Sequence, residues 1–236
     1  MEEPEKIIEV LDGFFSISND LQGKRILITA GPTYEKIDPV RFIGNYSSGK
    51  MGFALAEACA NRGAEVTLVS GPVSLSVNHP LIKRVDVESA DEMYDASVDN
   101  FPSCDAAILC AAVADYRPES AASQKIKRDS RGEMTLHLVP NRDIAASLGK
   151  IKRDGQKLVG FALETNDEAS NALGKLKSKN LDFIVLNSLR DKGAGFRCDT
   201  NKISIISTDG VATDYPLKSK SEVADDIVSR LVAIMR

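Results

Sequence analysis

The chain has 236 residues, 43% of them hydrophobic and 27% charged, enough apolar material for the core of one large domain. A net charge of −4 argues against a general nucleic-acid or membrane-surface binder. No apolar run approaches the roughly 18 residues that cross a bilayer, and no signal peptide is read at the start. The four cysteines, Cys59, Cys104, Cys110 and Cys198, have no C-x-x-C spacing, so reduced thiols in a cytoplasmic protein are expected. With two histidines, His79 and His137, neither a histidine metal site nor a Ser-His-Asp triad has its partners.

Residues 4–15 read as a short amphipathic helix with a proline at its start, followed by a polar linker. Residues 1–22 are therefore expected to precede a single domain over 23–236. Arg25 to Thr29 is an apolar, β-branched run suited to a buried parallel strand, and Ala30-Gly31-Pro32-Thr33 breaks it. From Ser48 the period becomes 3.6, with Met51, Leu55, Ala58 and Cys59 on one face as far as Arg62-Gly63. Glu65 to Ser70 is a second strand, which completes a βαβ unit. Its loop presents backbone N–H groups at Gly49 and Gly52 beside a helix N-terminus, so an anion, most simply a phosphate, is the expected ligand.

Three motifs compete for that loop. Gly44-x-x-x-x-Gly49-Lys50 has the spacing of a P-loop, but Met51 stands where a Ser or Thr should meet magnesium, and the preceding strand ends well before Gly44. Tyr46-x-x-x-Lys50 has the spacing of a short-chain dehydrogenase pair, yet it lies in the phosphate loop rather than on a downstream helix. Gly49-x-x-Gly52 supplies half of a dinucleotide fingerprint, and Ser70-Gly71 offers no acid for a ribose. A Rossmann-like fold is expected without NAD. The long insertion between strand and helix carries Asp38, Arg41 and Asn45 towards the same crevice and points to a second ligand.

Strand and helix patterns keep alternating downstream. Arg84 to Val87 reads as a strand, Ser89 to Glu92 as a capped helix start, and Asp105 to Ala112 as a buried central strand. The small residues Ala111 and Ala112 at its end let a ligand approach the backbone, where Asp115 either accepts hydrogen bonds from it or is simply solvated. Residues 118–133 are polar, and Lys125, Lys127, Arg128 and Arg131 either close over a triphosphate or form a solvated charge run. Met134 to Val139 alternates as a strand, after which Asn141 or Asp143 caps the next helix. Lys157 to Glu164 is a buried strand whose Phe161 suits either a core or a base-stacking position. Lys175 and Lys179 share one face of a helix over 168–180. Asp182 to Asn187 is a strand followed by a glycine-rich loop at 193–195. Lys202 to Ser207 and Val211 to Tyr215 form a C-terminal hairpin, and a helix from Ser221 to Met235 closes the chain. The expected fold is α/β, a mostly parallel sheet covered by helices on both faces, with ligands at the carboxyl ends of the strands.

Four separated signatures, Thr29-Ala-Gly-Pro-Thr33 with Asp38-Pro-Val-Arg41, Asn45-Tyr-Ser-Ser-Gly-Lys-Met-Gly52, Ala-Ala-Val-Ala-Asp-Tyr-Arg at 111–117 and Gly-Phe-Ala-Leu-Glu-Thr at 160–165, resemble those of phosphopantothenoylcysteine synthetase. That enzyme of coenzyme A biosynthesis joins 4′-phosphopantothenate to L-cysteine. The resemblance implies that CTP activates the substrate carboxylate as an acyl-cytidylate and that the amine of cysteine then displaces CMP. It implies catalytic roles for Asn45, which holds the acyl intermediate, for Arg41, which assists, and for Lys125 on a flap. It assigns nucleotide contacts to Gly31, Ser48, Gly49, Gly52, Asp115, Asn141, Asp143, Ile144, Phe161, Lys175 and Lys179, and substrate contacts to Asn45, Ala111, Ala112 and Asp115. Magnesium is implied without assigned ligands, as is a homodimer with shared sites. The family has proline where this chain has Arg142, a departure from its pattern at the nucleotide loop. The opening Glu-Pro-Glu-Lys-Ile resembles the segment that joins a flavin-dependent decarboxylase to the synthetase, so that decarboxylase is a candidate partner, and no FMN is expected in this chain. A short-chain-type reductase and a noncatalytic nucleotide-binding module are the alternatives, and they would show themselves by binding NAD(P)H or by binding CTP without turnover.

Overall fold

A computed structural model describes residues 19–127, 133–164, 168–188 and 198–236 of the chain. The helix expected over residues 4–15 and the glycine-rich loop at 193–195 lie outside the described residues. β1 (Arg25–Ala30) is buried at every residue after Arg25, as its unbroken apolar run requires of a central parallel strand. The insertion that follows is a small antiparallel hairpin, β2 (Tyr34–Lys36) and β3 (Phe42–Gly44). α1 (Lys50–Asn61) buries Met51, Leu55, Ala58 and Cys59, the face expected from their spacing. It starts two residues later than Ser48 because Gly49 is its N-cap, in the left-handed region at φ 79°. Gly52 lies so close to β1 that a Cβ there would stand 2.5 Å from the Ala30 Cβ.

The chain continues through β4 (Glu65–Ser70), β5 (Ile82–Asp86), α2 (Ala90–Asn100), β6 (Ala106–Leu109), β7 (Tyr116–Pro118), β8 (Leu138–Pro140), α3 (Ile144–Ile151), β9 (Lys157–Glu164), α4 (Glu168–Ser178), β10 (Phe183–Ser188), β11 (Thr200–Ser207), β12 (Ala212–Ser219) and α5 (Lys220–Met235). The sheet order is β12-β11-β10-β9-β6-β1-β4-β5. The six strands from β5 to β10 pair in parallel, and β11 and β12 join antiparallel, as the Asp209-Gly210 turn predicts. One core packs Leu55 of α1 and Ile227 and Leu231 of α5 on one face of the sheet. The other packs Met93 of α2, Leu148 of α3 and Leu176 of α4 on the opposite face.

This is the Rossmann-like arrangement anticipated, with the order reversing between β1 and β6 and a crevice at the strands' carboxyl ends. Capping follows the sequence too, since Ser89 and Ser219 each form a capping box, with Glu92 and Glu222.

Some boundaries differ. The strand expected over Asp105–Ala112 is regular only to Leu109, because beyond it Ala111 N–H turns to the Thr29 hydroxyl at 3.2 Å and Ala112 N–H to the Gly31 carbonyl at 2.8 Å. The strand expected over Met134–Val139 is reduced to Leu138–Pro140, because its antiparallel partner β7 is itself three residues long. The helix expected to reach residue 180 ends at Ser178, and Asn180 follows it at φ 53°. The Lys50 ammonium pairs with Asp199 at 2.6 Å, which is not the phosphate-facing posture of a P-loop lysine.

Candidate active site

The end of β6 is the dividing wall of the site. Ala111, Val113, Ala114 and Asp115 line one side of a cavity of about 320 Å³, closed by Asn141, Arg142, Asp143 and Ile144 at the start of α3, by Phe161 on β9, and by Lys175 and Lys179 at the end of α4. Small side chains leave this wall thin, and hydrogen bonds hold it. Ala114 N–H donates to the Thr33 hydroxyl at 3.0 Å, and the Asn141 amide donates to the Ala114 carbonyl at 2.8 Å. Asn141 in turn accepts from Arg117 at 3.0 Å.

Asp143 is the N-cap of α3, accepting from Ala146 N–H at 2.9 Å, and it also pairs with the Lys179 ammonium at 3.0 Å. Burial pushes its carboxyl pKa up, but the Ala146 N–H and Lys179 outweigh that and hold it below the ordinary value. Asp143 is therefore the helix cap read from the sequence, and it also lines the cavity. Arg142 ties the loop to α2. Its guanidinium pairs with Asp91 and Asp95 at 2.8 Å each and lies 3.9 Å above the Tyr94 ring. Phe161 is half-buried against the core and lines the cavity at once.

Across the wall lies a second cavity of about 160 Å³, which shares Ala111 and Phe161 with the first. It is lined by Ser47, Ser48 and Met51 at the start of α1, by Cys110 and Ala112, and by Asn187, Asn201 and Lys220. Burial pushes the Cys110 thiol up to about 12, so it stays protonated and is no nucleophile at neutral pH.

Asn45 sits at the wall itself, and its amide donates to the carbonyls of Ala112 at 3.0 Å and Val113 at 3.2 Å. The β2–β3 hairpin carries a further device. Asp38, 2% exposed, accepts from the N–H groups of Val40 and Arg41, pairs with the Arg41 guanidinium, and reaches across to the N–H of Ile126 at 3.1 Å. Arg41 donates to the Ile126 carbonyl at 2.9 Å. The residue next to Lys125 is thus held from both sides. The Arg41 side chain is the main reason the Asp38 carboxyl lies well below the usual carboxylate range; burial opposes it, and the backbone N–H groups of Val40, Ile126 and Arg41 add to it.

Residues 21–235 match the family described as "DNA/pantothenate metabolism flavoprotein C-terminal domain". The chain belongs to that family. A crystal structure of the C-terminal domain of the coenzyme A biosynthesis bifunctional protein CoaBC is similar at 43% identity and a TM-score of 0.78, over 92% of this chain and 98% of that one. Among curated relatives, a "Cysteine/Cysteine sulfinic acid decarboxylase" from an unknown prokaryotic organism is 55% identical over all of this chain and 66% of its own length. The CoaBC protein of Vibrio parahaemolyticus is 47% identical over all of this chain and 58% of its own length. The chain spans under two thirds of these relatives, and in CoaBC it corresponds to the C-terminal half.

Within this flavoprotein C-terminal domain, the structure brings Ala111, Asp115, Asn141, Asp143, Ile144, Phe161, Lys175 and Lys179 together around the larger cavity, and Ser48, Ala111 and Ala112 around the smaller one. Arg41, Asn45 and Lys125 line neither. Gly31, Gly49 and Gly52 pack the loop against Val73, Gly71 and Ala30. Sequence reasoning missed Thr33, Asn187, Asn201 and Lys220. Of these, only the position of Asn187 at the carboxyl end of a strand was a usable signal. Among the described residues no group of three His, Cys, Asp or Glu side chains could cage a metal, and no helix is long and apolar enough to cross a membrane.

Proposed function

We propose that the chain is a phosphopantothenate–cysteine ligase, the synthetase part of a cytoplasmic coenzyme A biosynthesis protein whose other part is a decarboxylase. The carrying observation is Asn45, held by two carbonyls on a wall with a cavity on either side. A two-step ligation needs such a place, where an acyl intermediate meets first a nucleotide and then an amine.

In the first step the carboxylate oxygen of 4′-phosphopantothenate attacks the α-phosphorus of CTP. The bond to pyrophosphate breaks, and an acyl-cytidylate forms. A carboxylate is a poor electrophile, so this activation is a chemical requirement. The larger cavity takes the nucleoside. Phe161 offers a ring face, Lys175 and Lys179 offer positive charge, and Asp115, Asn141 and Asp143 offer acceptors. Lys125, presented by the latched Ile126, offsets the charge of two approaching anions. In the second step the amine nitrogen of cysteine attacks the acyl carbon, the carbon–oxygen bond to CMP breaks, and the amine proton passes to solvent. With its N–H groups committed to the wall, Asn45 offers its amide oxygen to hold the intermediate. A magnesium ion carried by the triphosphate would find the carboxylates of Asp115 and Asp143 on the cavity lining. When bound, it supplies charge neutralisation.

Val40, Phe42 and Tyr46, respectively 60%, 49% and 76% exposed, give the hairpin an uncovered apolar face beside Asn45. That face supports a homodimer in which the hairpin borders the partner's site.

The test is pyrophosphate release with 4′-phosphopantothenate and magnesium, comparing CTP with ATP, with and without cysteine. Release that depends on phosphopantothenate and CTP, with amide appearing only on addition of cysteine, is the expected result. No release with either nucleotide would overturn the reading, and a tight NAD(P)H complex would then favour a reductase.

A further inference from the structure

With the nucleoside read into the larger cavity, the smaller one stands apart by the few polar side chains, Ser47, Ser48, Asn187, Asn201 and Lys220, set in a mostly apolar lining. The Asn187 side-chain oxygen is buried and accepts no hydrogen bond among the described residues. An orphaned acceptor of this kind costs about 1–3 kcal/mol unless something donates to it, and it lies on the cavity lining. The other polar side chains of the lining carry donors. Lys220 is 8% exposed, and its ammonium donates to the Cys198 carbonyl. Asn201 is 1% exposed; its amide nitrogen donates to the Met51 sulfur, a weak acceptor 3.9 Å away, and its amide oxygen accepts from Lys202 N–H at 3.1 Å. Ser47 and Ser48 stand before the N-terminus of α1, where backbone N–H groups and the helix dipole favour a carboxylate.

We infer that this cavity is the binding site for the α-amino acid co-substrate. Lys220, Asn201 and the α1 N-terminus receive its carboxylate, and Asn187 accepts from its amino group. The inference rests on the two-step ligase reading and adds to it the location of the nucleophile. Size agrees, because the cavity has half the volume of its neighbour and suits a ligand of a few heavy atoms rather than a nucleoside. Chemistry agrees, because a fully ionised phosphate would answer the donors yet leave the Asn187 oxygen without a partner, whereas a zwitterion answers both. Position agrees as well. The shared wall at Ala111 and Phe161 carries Ala112, on whose carbonyl Asn45 rests, so an amine held here faces the acyl group from the side away from the nucleotide.

The experiment compares wild type with Asn187→Leu and Lys220→Gln at saturating 4′-phosphopantothenate, measuring KM separately for cysteine and for CTP. The expected result is a rise of at least about tenfold in KM for cysteine, equivalent to about 1.4 kcal/mol, with KM for CTP within about twofold in the same variants. Unchanged KM for cysteine in a folded Asn187→Leu protein overturns the inference. So does a rise confined to CTP, which would make this cavity a phosphate site. Competition between inorganic phosphate and cysteine in wild type, as strong as that between L-serine and cysteine, also overturns it. Failure of wild type to release pyrophosphate from CTP is a different result and falls on the ligase reading instead.

Discussion

Asn45 makes two hydrogen bonds to a strand end and no packing contribution to either core, so its loss is read in chemistry rather than in stability. Asn45→Ala is expected to leave pyrophosphate release in place while acyl-cytidylate accumulates or escapes. Amide formation should fall about 10²-fold or more, the usual cost of one positioned polar group. Normal amide yield in a quenched-flow assay would remove Asn45 from the mechanism. Asp143 separates two duties in one side chain. Asn is as good an N-cap as Asp, so Asp143→Asn should keep the stability of α3 and lose only the Lys179 pair, raising KM for CTP. Asp143→Ala should lose the cap as well, at a further cost of about 0.5–2 kcal/mol in thermal unfolding. Because the folded carboxyl is held below its ordinary pKa, its contribution is fully present above that ordinary value and is lost as pH falls through the folded one. KM for CTP should therefore be insensitive to this group from pH 7 down to about 5 and rise only below about 4.

At the scale of elements, the hairpin and the basic segment act as one unit through Asp38. Asp38→Asn should weaken the grip on Ile126, speed tryptic cleavage after Lys125 and Lys127, and slow pyrophosphate release by about 10²-fold through misplacement of Lys125. Unaltered cleavage together with an unaltered rate would show that the latch does not position the lysine. The Asp38 pKa is depressed chiefly by Arg41, so the latch should survive acidification through pH 4 and open only below it. The contact between α1 and β1 makes a stability prediction of a different kind. Gly52→Ala places a Cβ against Ala30, a core overpacking worth about 1–3 kcal/mol. Tm should fall by about 2–4 °C per kcal/mol, and the double change with Ala30→Gly should recover most of it. A single variant as stable as wild type would mean that the helix can shift off the strand without cost.

For the molecule as a whole, the order of the sheet decides where chemistry occurs. The reversal between β1 and β6 opens a crevice, and the chain sends its two irregular excursions, β2–β3 and β7–β8, to that same edge. The hairpin's exposed apolar tip predicts self-association. Phe42→Glu should shift the protein from dimer to monomer by light scattering and lower activity in parallel. A wild-type monomer at micromolar concentration would rule the hairpin out as a dimer contact.

How much of this was legible follows from the range of each interaction. Periodicity and capping are local, so α1, α2, α5, the parallel strands and the C-terminal hairpin could be read from residues a few positions apart. The cluster around Asp115, Asn141, Asp143, Phe161, Lys175 and Lys179 could be listed because its signatures are short and separate. Strand ends were less legible, because the stretches 110–112 and 134–137 leave regular pairing when their partners run out, and partners are set elsewhere in the chain. Alternation could not reveal that Asp38 holds Ile126, 88 residues away, that Arg142 is bound to α2, or that Asn187, Asn201 and Lys220 face the start of α1. The chain's own pattern of apolar and polar residues determined a doubly covered parallel sheet with a glycine-bearing loop before α1, since burial and backbone pairing act at fixed local spacings. Only the tertiary structure decided that the loop opens onto a second, smaller cavity with an unanswered buried acceptor, because strand order brings together side chains that no sequence period relates.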